Sequence, residues 1–344
     1  VTATKKRNRR LRILATAQIA VAFLLTNGAI LLYTSYKEIH DIPFAFETEN
    51  VITGRIALQG ERYEGNEKKI LLWDQLLERV KAIPGVEQAA VTSKLPLEGG
   101  NNGSMLVEGQ SYDPQTNRRL VERSWITPDY FDAMGIPLLA GRIFEADEGT
   151  AEEQIVVINQ AFVDRYYADK EPLGQVIRQN SAEPEWTATV VGVVASVPQW
   201  GPIYRPLPEV YGPLRLNVYS DPFLVIRSKH SPASVIPAVR EAIREIDPDL
   251  PMSEPRTMGQ VLSEATGGRR FLMRLVSMFA VIALVLAMAG IFGTMSHNVA
   301  QRTREIGVRV AFGANKRRIL IMVLREGLLM DVAGIGLGCL ALVS

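Results

Sequence analysis

The sequence predicts a membrane protein in which transmembrane helices carry a mixed α+β domain outside the membrane. Two uncharged runs, 13–33 and 275–295, are each long enough to cross about 30 Å of hydrocarbon. Basic residues lie beside these runs, whereas the segment between them is acidic. Within that segment, strand-like alternation and helix-like periodicity follow one another along the chain.

Composition narrows the class of protein only slightly. The 344 residues allow one large or two ordinary domains, and 47% hydrophobic with 22% charged residues is close to the soluble average. A net charge of +1 gives no reason to expect nucleic acid as a partner. The single cysteine, Cys339, excludes an internal disulfide. Because the chain starts at Val1 and stops at Ser344 inside an apolar run, we expect a piece of a longer polypeptide.

The first span is ILATAQIAVAFLLTNGAILLY, preceded by a basic segment (1–12) with six Lys or Arg residues. A cleaved signal peptide is the alternative. Its apolar region is usually about 7–15 residues long and ends at a small-residue cleavage site, and neither feature is present before Tyr36. An uncleaved anchor is therefore favoured.

The second span is LVSMFAVIALVLAMAGIFGTM, in which Ala289 and Gly293 form a small-residue pair suited to close helix packing. A third apolar segment, 319–344, carries charges at its start and a clean run too short to span. It is either a buried soluble helix or a spanning helix cut short, and truncation is favoured because charges at that end can reach the interface. Its GIGLG string follows no strand, so it predicts helix-packing glycines rather than a nucleotide site.

Charge predicts the orientation. Residues 37–270 hold 24 basic and 34 acidic residues, whereas the remainder holds 14 and 3. Cytoplasmic loops of membrane proteins carry the excess of Lys and Arg. The basic segment and the loop 296–318 are therefore predicted to be cytoplasmic, and the large domain to lie in the periplasm or its equivalent.

The outer domain, 37–270, predicts two strand–helix–strand units. The first joins VITGRIAL (51–58), a helix at 67–83 and VEQAAVTS (86–93). The predicted apolar stripe of its helix is Ile70, Leu71, Trp73, Leu76, Leu77 and Val80. The second joins PFLVIRS, a helix at 231–246 and a short strand near Met252. Two such units predict a two-layer sandwich, into which a second lobe (about 103–218) is inserted.

The lobe is rich in strand-like runs, at 155–159 and 187–197. The string WGPIYRPLPEVYGPL (200–214) interleaves aromatic residues with four prolines. It predicts either an aromatic contact surface or an extended, rigid surface loop, and the loop is favoured.

No residue pattern indicates an enzyme. The sequence contains no G-x-x-x-x-G-K-[ST], H-E-x-x-H or G-x-S-x-G string. His40, His230 and His297 lie far apart and are predicted on different sides of the membrane, so a metal site or a catalytic triad is disfavoured. We expect no catalytic, cofactor-binding or metal-binding residue.

The basic loop after span two carries the most specific pattern. Nothing breaks the helix between Met295 and Ala311, Val299 and Ile306 recur on one face, and Gly313 suits a turn past the helix end. Such a helix is either a basic patch on anionic lipid or a docking helix for a cytoplasmic partner. The residues alone leave these alternatives open.

Several strings resemble one family. RTREIGVRVAFGANKRRIL is similar to the first cytoplasmic loop of MacB/FtsX-type ABC transporter permeases, usually close to RTREIGIRMALGARRRDIL. TPDYFDAMGIPLLAGRIFEADE, VVINQAFVDRYYADKEPLGQVI and VVGVV resemble the periplasmic core strings of the family, and 5–32 resembles the start of a second permease half.

The resemblance implies a permease subunit for export or extraction, with an FtsX-like region at 275–344 and a porter-like sandwich outside. It implies that an ATPase on a separate subunit docks on the coupling residues, which are Arg302, Arg304, Glu305, Ile306, Gly307, Arg309 and Gly313. Membrane lipid, a second permease half or a second copy, and a periplasmic adaptor are kept as further partners. The alternatives are a membrane-anchored sensor and a lipoprotein-releasing permease. The location implied is the inner membrane, with several spans.

Overall fold

The computed structural model describes residues 2–40, 44–58, 60–100, 102–107, 120–149, 154–179, 187–253 and 255–301, with 303, 308, 332, 334–336, 338 and 339. The chain divides into two compact units. The membrane unit comprises Val1–Asp41 with Gly267–Ser344, and the outer domain comprises Ile42–Thr266.

The described elements are seventeen helices and strands. The helices are α1 (Thr2–His40), α2 (Asn66–Lys81), α3 (Tyr130–Met134), α4 (Gln160–Tyr166), α5 (Pro232–Ile246) and α6 (Met258–Gln301). The strands are β1 (Val51–Arg55), β2 (Val86–Thr92), β3 (Asn102–Val107), β4 (Leu120–Ile126), β5 (Leu138–Gly141), β6 (Ile155–Asn159), β7 (Val176–Gln179), β8 (Thr187–Val194), β9 (Glu209–Pro213), β10 (Phe223–Ser228) and β11 (Arg256–Thr257).

The membrane unit contains two helices long and apolar enough to cross a bilayer. Ile13–Ser35 of α1 has a mean hydropathy of 1.8, and Arg270–His297 of α6 has 2.7. Most of their large apolar side chains are exposed, as expected for helices whose surroundings are lipid rather than water.

Small residues let α1 and α6 approach each other. Ala22 of α1 and Ala287 of α6 are buried with Ile19 in one apolar cluster. Gly290 faces Gln18 so closely that a Cβ there would collide with its side chain. No described residue lies within 4 Å of a Cβ built on Gly293. The face that meets α1 is therefore centred on Ala287 and Gly290, not on the predicted pair.

The described residues of the third apolar segment are helical. A Cβ on Gly334 would lie 2.7 Å from Ile19 Cγ2, and one on Gly338 would lie 2.7 Å from Phe23 Cδ1. Both glycines thus allow this helix to pack closely on α1, which supports their interpretation as packing glycines.

The core of the outer domain is formed by two strand–helix–strand units, as predicted, and the structure shows that they interleave. β1–α2–β2 and β10–α5–β11 share one antiparallel sheet in the order β11-β1-β10-β2. Each unit therefore encloses one strand of the other, the split arrangement of ferredoxin-like folds. α2 and α5 cover one face of this sheet, which we call the interleaved half.

Two predictions about this half are corrected. Leu71 is 60% exposed, and its neighbour Leu72 is buried instead. Leu72 lies four residues before Leu76, which places it on the buried face of α2, while the rest of the stripe from Trp73 to Val80 is buried as predicted. The sheet is also covered on both faces rather than one. Val225 and Ala90 pack with α3 and the start of α6 on the face opposite α2. Consecutive buried residues along a strand, such as 89–91, indicate this two-sided burial.

The inserted lobe is a small closed barrel. Its strands follow the order β4-β3-β7-β8-β6-β9, and β9 returns to pair with β4 in parallel. β5 pairs with residues 192–194 of β8. The side chain of Asn159 caps α4 by accepting a hydrogen bond from Phe162 N at 2.9 Å. One pairing, Thr92 with Ile126, joins the barrel sheet to the interleaved half.

The predicted surface loop at 200–214 is wrong for its second part. Residues 209–213 form β9, every residue of which is buried, and Tyr211 is fully enclosed. Pro208 directly precedes this strand and Pro213 is its last residue, so the local sequence does not indicate a strand. The first part, with Trp200 and Tyr204, is an exposed loop as predicted.

Candidate functional site

The predicted coupling residues lie outside the described part of the chain. These are Arg302, Arg304, Glu305, Ile306, Gly307, Arg309 and Gly313. Their described neighbours Thr303 and Val308 are helical, and Thr303 Oγ1 donates to Val299 O at 3.1 Å and Ala300 O at 2.9 Å. α6 thus reaches the residue directly before Arg302, and the contact role of the seven residues stays a prediction.

The other end of α6 begins inside the outer domain with a capping box. Thr257 Oγ1 accepts from Gln260 N at 3.1 Å, and Gln260 Oε1 accepts from Thr257 N at 2.8 Å. This exchange satisfies donors that every helix start leaves free. Sequence reasoning missed it, although the T-x-x-Q string at 257–260 is its ordinary signal.

Side chains around this start hold α6 in the domain core. Met258 is 0% and Val261 2% exposed. Arg256 donates to Glu98 Oε1 at 2.5 Å and to Glu264 Oε2 at 2.6 Å. The first turns of α6 are therefore fixed by apolar contacts, a cap and an ion-pair bridge together.

A buried polar network closes the barrel. Lys94, in the loop after β2, places its Nζ 2.7 Å from Glu122 Oε2 on β4 and 3.1 Å from Glu209 Oε1 on β9. The two carboxylates face each other in the parallel β4–β9 register, and both side chains are 0% exposed. One ammonium group thus serves two buried carboxylates on the strands that close the ring.

Neutral donors also bind both carboxylates. Glu209 accepts from Ser124 Oγ at 2.6 Å, Gln199 Nε2 at 2.5 Å and Tyr211 OH at 2.7 Å. Trp200 Nε1 donates to Glu122 Oε1 at 2.8 Å. Burial, followed by the charge of Glu209, raises the pKa of the Tyr211 phenol well above its ordinary value, so it remains a donor. The network ties the loop 196–208 to the barrel.

An apolar cleft of about 350 Å³ lies between α2 and the edge of the lobe. Its lining includes Trp73 and Leu77 from α2, Phe144 from the lobe and Leu214 after β9. Ion pairs flank it, Arg215 Nη2 to Asp74 Oδ2 at 2.8 Å and Lys81 Nζ to Asp129 Oδ2 at 2.5 Å. A concave apolar surface of this size is the usual form of a small-molecule site.

The charged rim of this cleft is acidic in excess. Its lining contains four acidic residues and two basic residues, namely Asp74, Glu78, Asp129 and Glu145 with Lys81 and Arg215. Within the ranges described above, no group of three or more His, Cys, Asp or Glu is placed to hold a metal.

Comparisons with known proteins identify the class. The family described as MacB-like periplasmic core domain matches residues 19–246, and the FtsX-like permease C-terminal family matches 277–344. The macrolide export ATP-binding/permease protein MacB of Neisseria gonorrhoeae is 28% identical over 229 residues, which are 62% of this chain and 34% of that protein. The probable export ATP-binding/permease protein MacB of Pseudomonas entomophila is 28% identical over 277 residues, 76% of this chain and 40% of that protein.

The likeness to solved structures is weaker. The periplasmic region of MacB from Actinobacillus actinomycetemcomitans aligns with a TM-score of 0.42 and 16% identity, covering 62% of this chain and 91% of that one. The extracellular domain of the noncanonic ABC-type transporter YknZ from Gram-positive bacteria aligns with a TM-score of 0.38 and 13% identity, covering 58% and 94%.

Two apolar helices and the mixed α/β domain between them define a membrane protein with a large domain outside the bilayer. The chain belongs to the MacB/FtsX-type ABC transporter permeases. It spans about a third of the length of the curated relatives it matches, such as 34% of the Neisseria protein.

Proposed function

We propose that this chain is the membrane subunit of an ATP-driven exporter, in which nucleotide binding by a partner ATPase moves the outer domain. Family membership supports the class of protein. We assign the ATPase to a separate subunit, although the relatives are named as ATP-binding and permease in one protein. We assign the docking surface for the ATPase to the segment from Arg302 to Ala311, which the sequence predicts to be helical.

The observation that carries the proposal is the continuity of α6. Its 44 residues correspond to about 66 Å of helix at the usual rise per residue. One end is capped and buried in the outer domain core, and the other precedes the predicted coupling residues. A displacement of the cytoplasmic end is carried along such a helix as a rigid-body movement. No aqueous pore is required.

Docking is tested by replacing Ile306 with aspartate in the intact transporter. The charge places a desolvated carboxylate in the apolar stripe, so we expect co-purification of the ATPase and export to fall together. Val308→Asp is the matched control, since Val308 is exposed and would lie about 200° around the predicted helix from Ile306. Unchanged association and unchanged export in Ile306→Asp would remove the docking assignment.

Transmission along α6 is tested separately at Gly268, where no described residue lies within 4 Å of an added Cβ. Gly268→Pro removes a helical hydrogen bond and breaks the helix, so ATPase association should persist while export is lost. Gly268→Ala fits the same space and favours the helix by about 1 kcal/mol, so export should be retained. Export by the proline variant at the level of the alanine variant would contradict mechanical coupling through α6.

Macrolide export is the first transport reaction to assay, because the curated relatives are named for it. The apolar cleft with its acidic rim supports an amphiphilic substrate carrying positive charge.

Lipoprotein release is the alternative within the family. A sensor would need an output module after the second span, where the FtsX-like match lies instead.

The remaining partners follow from the same proposal. We place the protein in the inner membrane with several spans and the outer domain in the periplasm, where it pairs with a second permease half or a second copy and meets an adaptor. The acidic outer domain and the basic flanks support this orientation. Labelling of intact cells that found the 296–318 loop outside would overturn it.

A further inference from the structure

The apolar cleft of the outer domain carries two carboxylates that no ion pair neutralises. Four acidic side chains line the cleft, and the ion pairs with Lys81 and Arg215 neutralise two of them. The other two belong to Glu78 of α2 and Glu145 of the lobe. Within the ranges that the structure describes, neither of these two carboxylates forms an ion pair. The cleft therefore has a surplus of negative charge at two particular side chains.

The charges that α2 presents to the cleft form one row. Asp74, Glu78 and Lys81 are spaced by four and three residues, so they lie on one side of the helix. Asp74 and Lys81 are thus about 10 Å apart along the helix axis, and each is held by a partner from another element. Glu78 lies between them without such a partner. The row lacks one positive charge near its centre.

Glu145 adds its carboxylate from the lobe. Arg142 interacts with it electrostatically, but both Nη atoms of Arg142 donate to Glu148, at 2.5 and 2.7 Å. Glu145 N also donates to Glu148 Oε2 at 2.8 Å, so the segment that carries Glu145 is held in place. One arginine beside two glutamates leaves one negative charge uncompensated. A bound cation would compensate it.

The inner surface of the cleft supplies apolar area and one unused donor. Trp73, Leu77, Phe144 and Leu214 all line it, and each is more than nine-tenths buried. Trp73 Nε1 is buried and has no hydrogen-bond acceptor in the described part of the chain. Because a buried donor without an acceptor is costly, a ligand oxygen that reaches this N–H recovers the cost.

These features select the occupant by its chemistry. We propose that the cleft binds an organic cation with an apolar ring system and a hydrogen-bond acceptor. Glu78 and Glu145 hold the cationic group, and Trp73 donates to the acceptor. Both carboxylates repel anions and add nothing to the binding of neutral molecules, so they determine specificity. The inference rests on the proposed export function, because it names the residues that select the exported substrate.

The test measures protection of a rim cysteine in the full chain, reconstituted in phosphatidylcholine nanodiscs without the ATPase. In a Cys339→Ser background, Ala146→Cys reports on the cleft, and Ser231→Cys at the exposed start of α5 is the control site. Two probes are compared at equal free concentration. One is a naphthamide with a choline-like trimethylammonium group, and the other is its isostere with an uncharged tert-butyl group in that place. The probes share shape and carbonyl oxygen and differ by one charge.

We expect the cation to protect position 146 from maleimide at about fivefold lower concentration than the isostere, and neither probe to protect position 231. Glu78→Gln with Glu145→Gln should abolish this advantage without weakening the isostere. Both glutamates are exposed, so the double variant should fold like the parent. Glu67→Gln with Glu241→Gln is the matched control, because it removes two exposed carboxylates outside the cleft.

Trp73→Phe keeps an aromatic ring and loses the donor. Both probes carry the carbonyl, so both should bind about fivefold more weakly, with the advantage of the cation retained. Thermal unfolding of this variant checks that its fold is intact. Unchanged binding of both probes would exclude the indole N–H as a ligand contact.

Equal protection by the two probes would overturn the proposal, and so would an advantage of the cation that survives removal of both glutamates. The measurement needs neither ATPase nor export, so the two proposals fail separately. Absence of selective binding would leave the Ile306→Asp result standing. Selective binding in a protein that exports nothing would refute export alone.

Discussion

The interleaved half and the barrel of the outer domain are held together by opposite means. Between α2, α5 and their sheet, apolar side chains pack in one large buried cluster, with Leu76 and Val80 at 0% exposure. Where the barrel closes, Glu122 and Glu209 are equally buried, and both bind Lys94. The stability of an apolar core depends mainly on the volume that its side chains fill, whereas the stability of a buried charge depends on each of its partners being present.

This difference suggests how strictly each half selects which segments pair within it. An apolar face can be satisfied by several arrangements of similar volume. A buried carboxylate without its donors costs several kcal/mol, so the network penalises any other partner for β9. We therefore interpret the polar network as the feature that selects closure of β9 on β4.

The largest effect is expected for Lys94→Met. Removing the ammonium takes away a cation that two buried carboxylates share, at a cost of about 3–5 kcal/mol. For a domain of this size the unfolding temperature of the outer domain should fall by about 10 °C, measured by thermal denaturation of the purified protein. The double variant Lys94→Met with Glu122→Gln should recover part of the loss. A Lys94→Met protein as stable as the parent would refute the role given to the network.

An intermediate effect is expected for Leu76→Ala in the interleaved half. Leu76 is 0% exposed, so the substitution loses its burial and leaves a cavity, at a cost of about 3 kcal/mol. Leu71→Ala is the matched control on the same helix, because Leu71 is 60% exposed and its loss should cost about 0.5 kcal/mol or less. Equal costs for the two variants would mean that the face of α2 is assigned incorrectly.

The smallest effect is expected at the edge of the interleaved half, where Asp247 accepts from Tyr63 OH and from Arg62 Nη1, the latter at 2.7 Å. The Tyr63 hydrogen bond, followed by that of Arg62, lowers the pKa of Asp247, and burial raises the pKa of Tyr63 to about 12. A carboxyl with a lowered folded-state pKa adds stability above its unfolded pKa of about 4, and this stability is lost as pH falls through the folded value.

Asp247→Asn should therefore lower stability at neutral pH by about 1 kcal/mol, the usual contribution of one hydrogen bond, with the difference from the parent shrinking below about pH 4. Unfolding temperatures measured between pH 3 and 7 provide the comparison. Tyr63→Phe keeps the carboxylate but loses the first donor, so its pH dependence should lie between the two. A difference that stayed constant across this range would exclude ionisation of Asp247 as the cause.

Local pattern predicted the elements well where one face or one composition dominated. The strands at 51–55, 86–92 and 223–228 and the helices α2 and α5 all lie within the predicted units. Local sequence pattern failed where burial depends on which distant segment packs against the residue. β9 is a buried strand that proline-rich sequence disguises, and Leu72 rather than Leu71 faces the core. The coupling residues rest on resemblance alone.

The sequence by itself determined the apolar spans, the basic flanks, the two strand–helix–strand units and the family, because length, charge and periodicity are local properties. Only the tertiary structure decided that the two units interleave, that β9 closes on β4 across 87 positions from Glu122 to Glu209, and that Lys94 joins them. Pairings between distant segments depend on which complementary partner is available in the folded chain. Local sequence pattern therefore does not predict which distant segments pair.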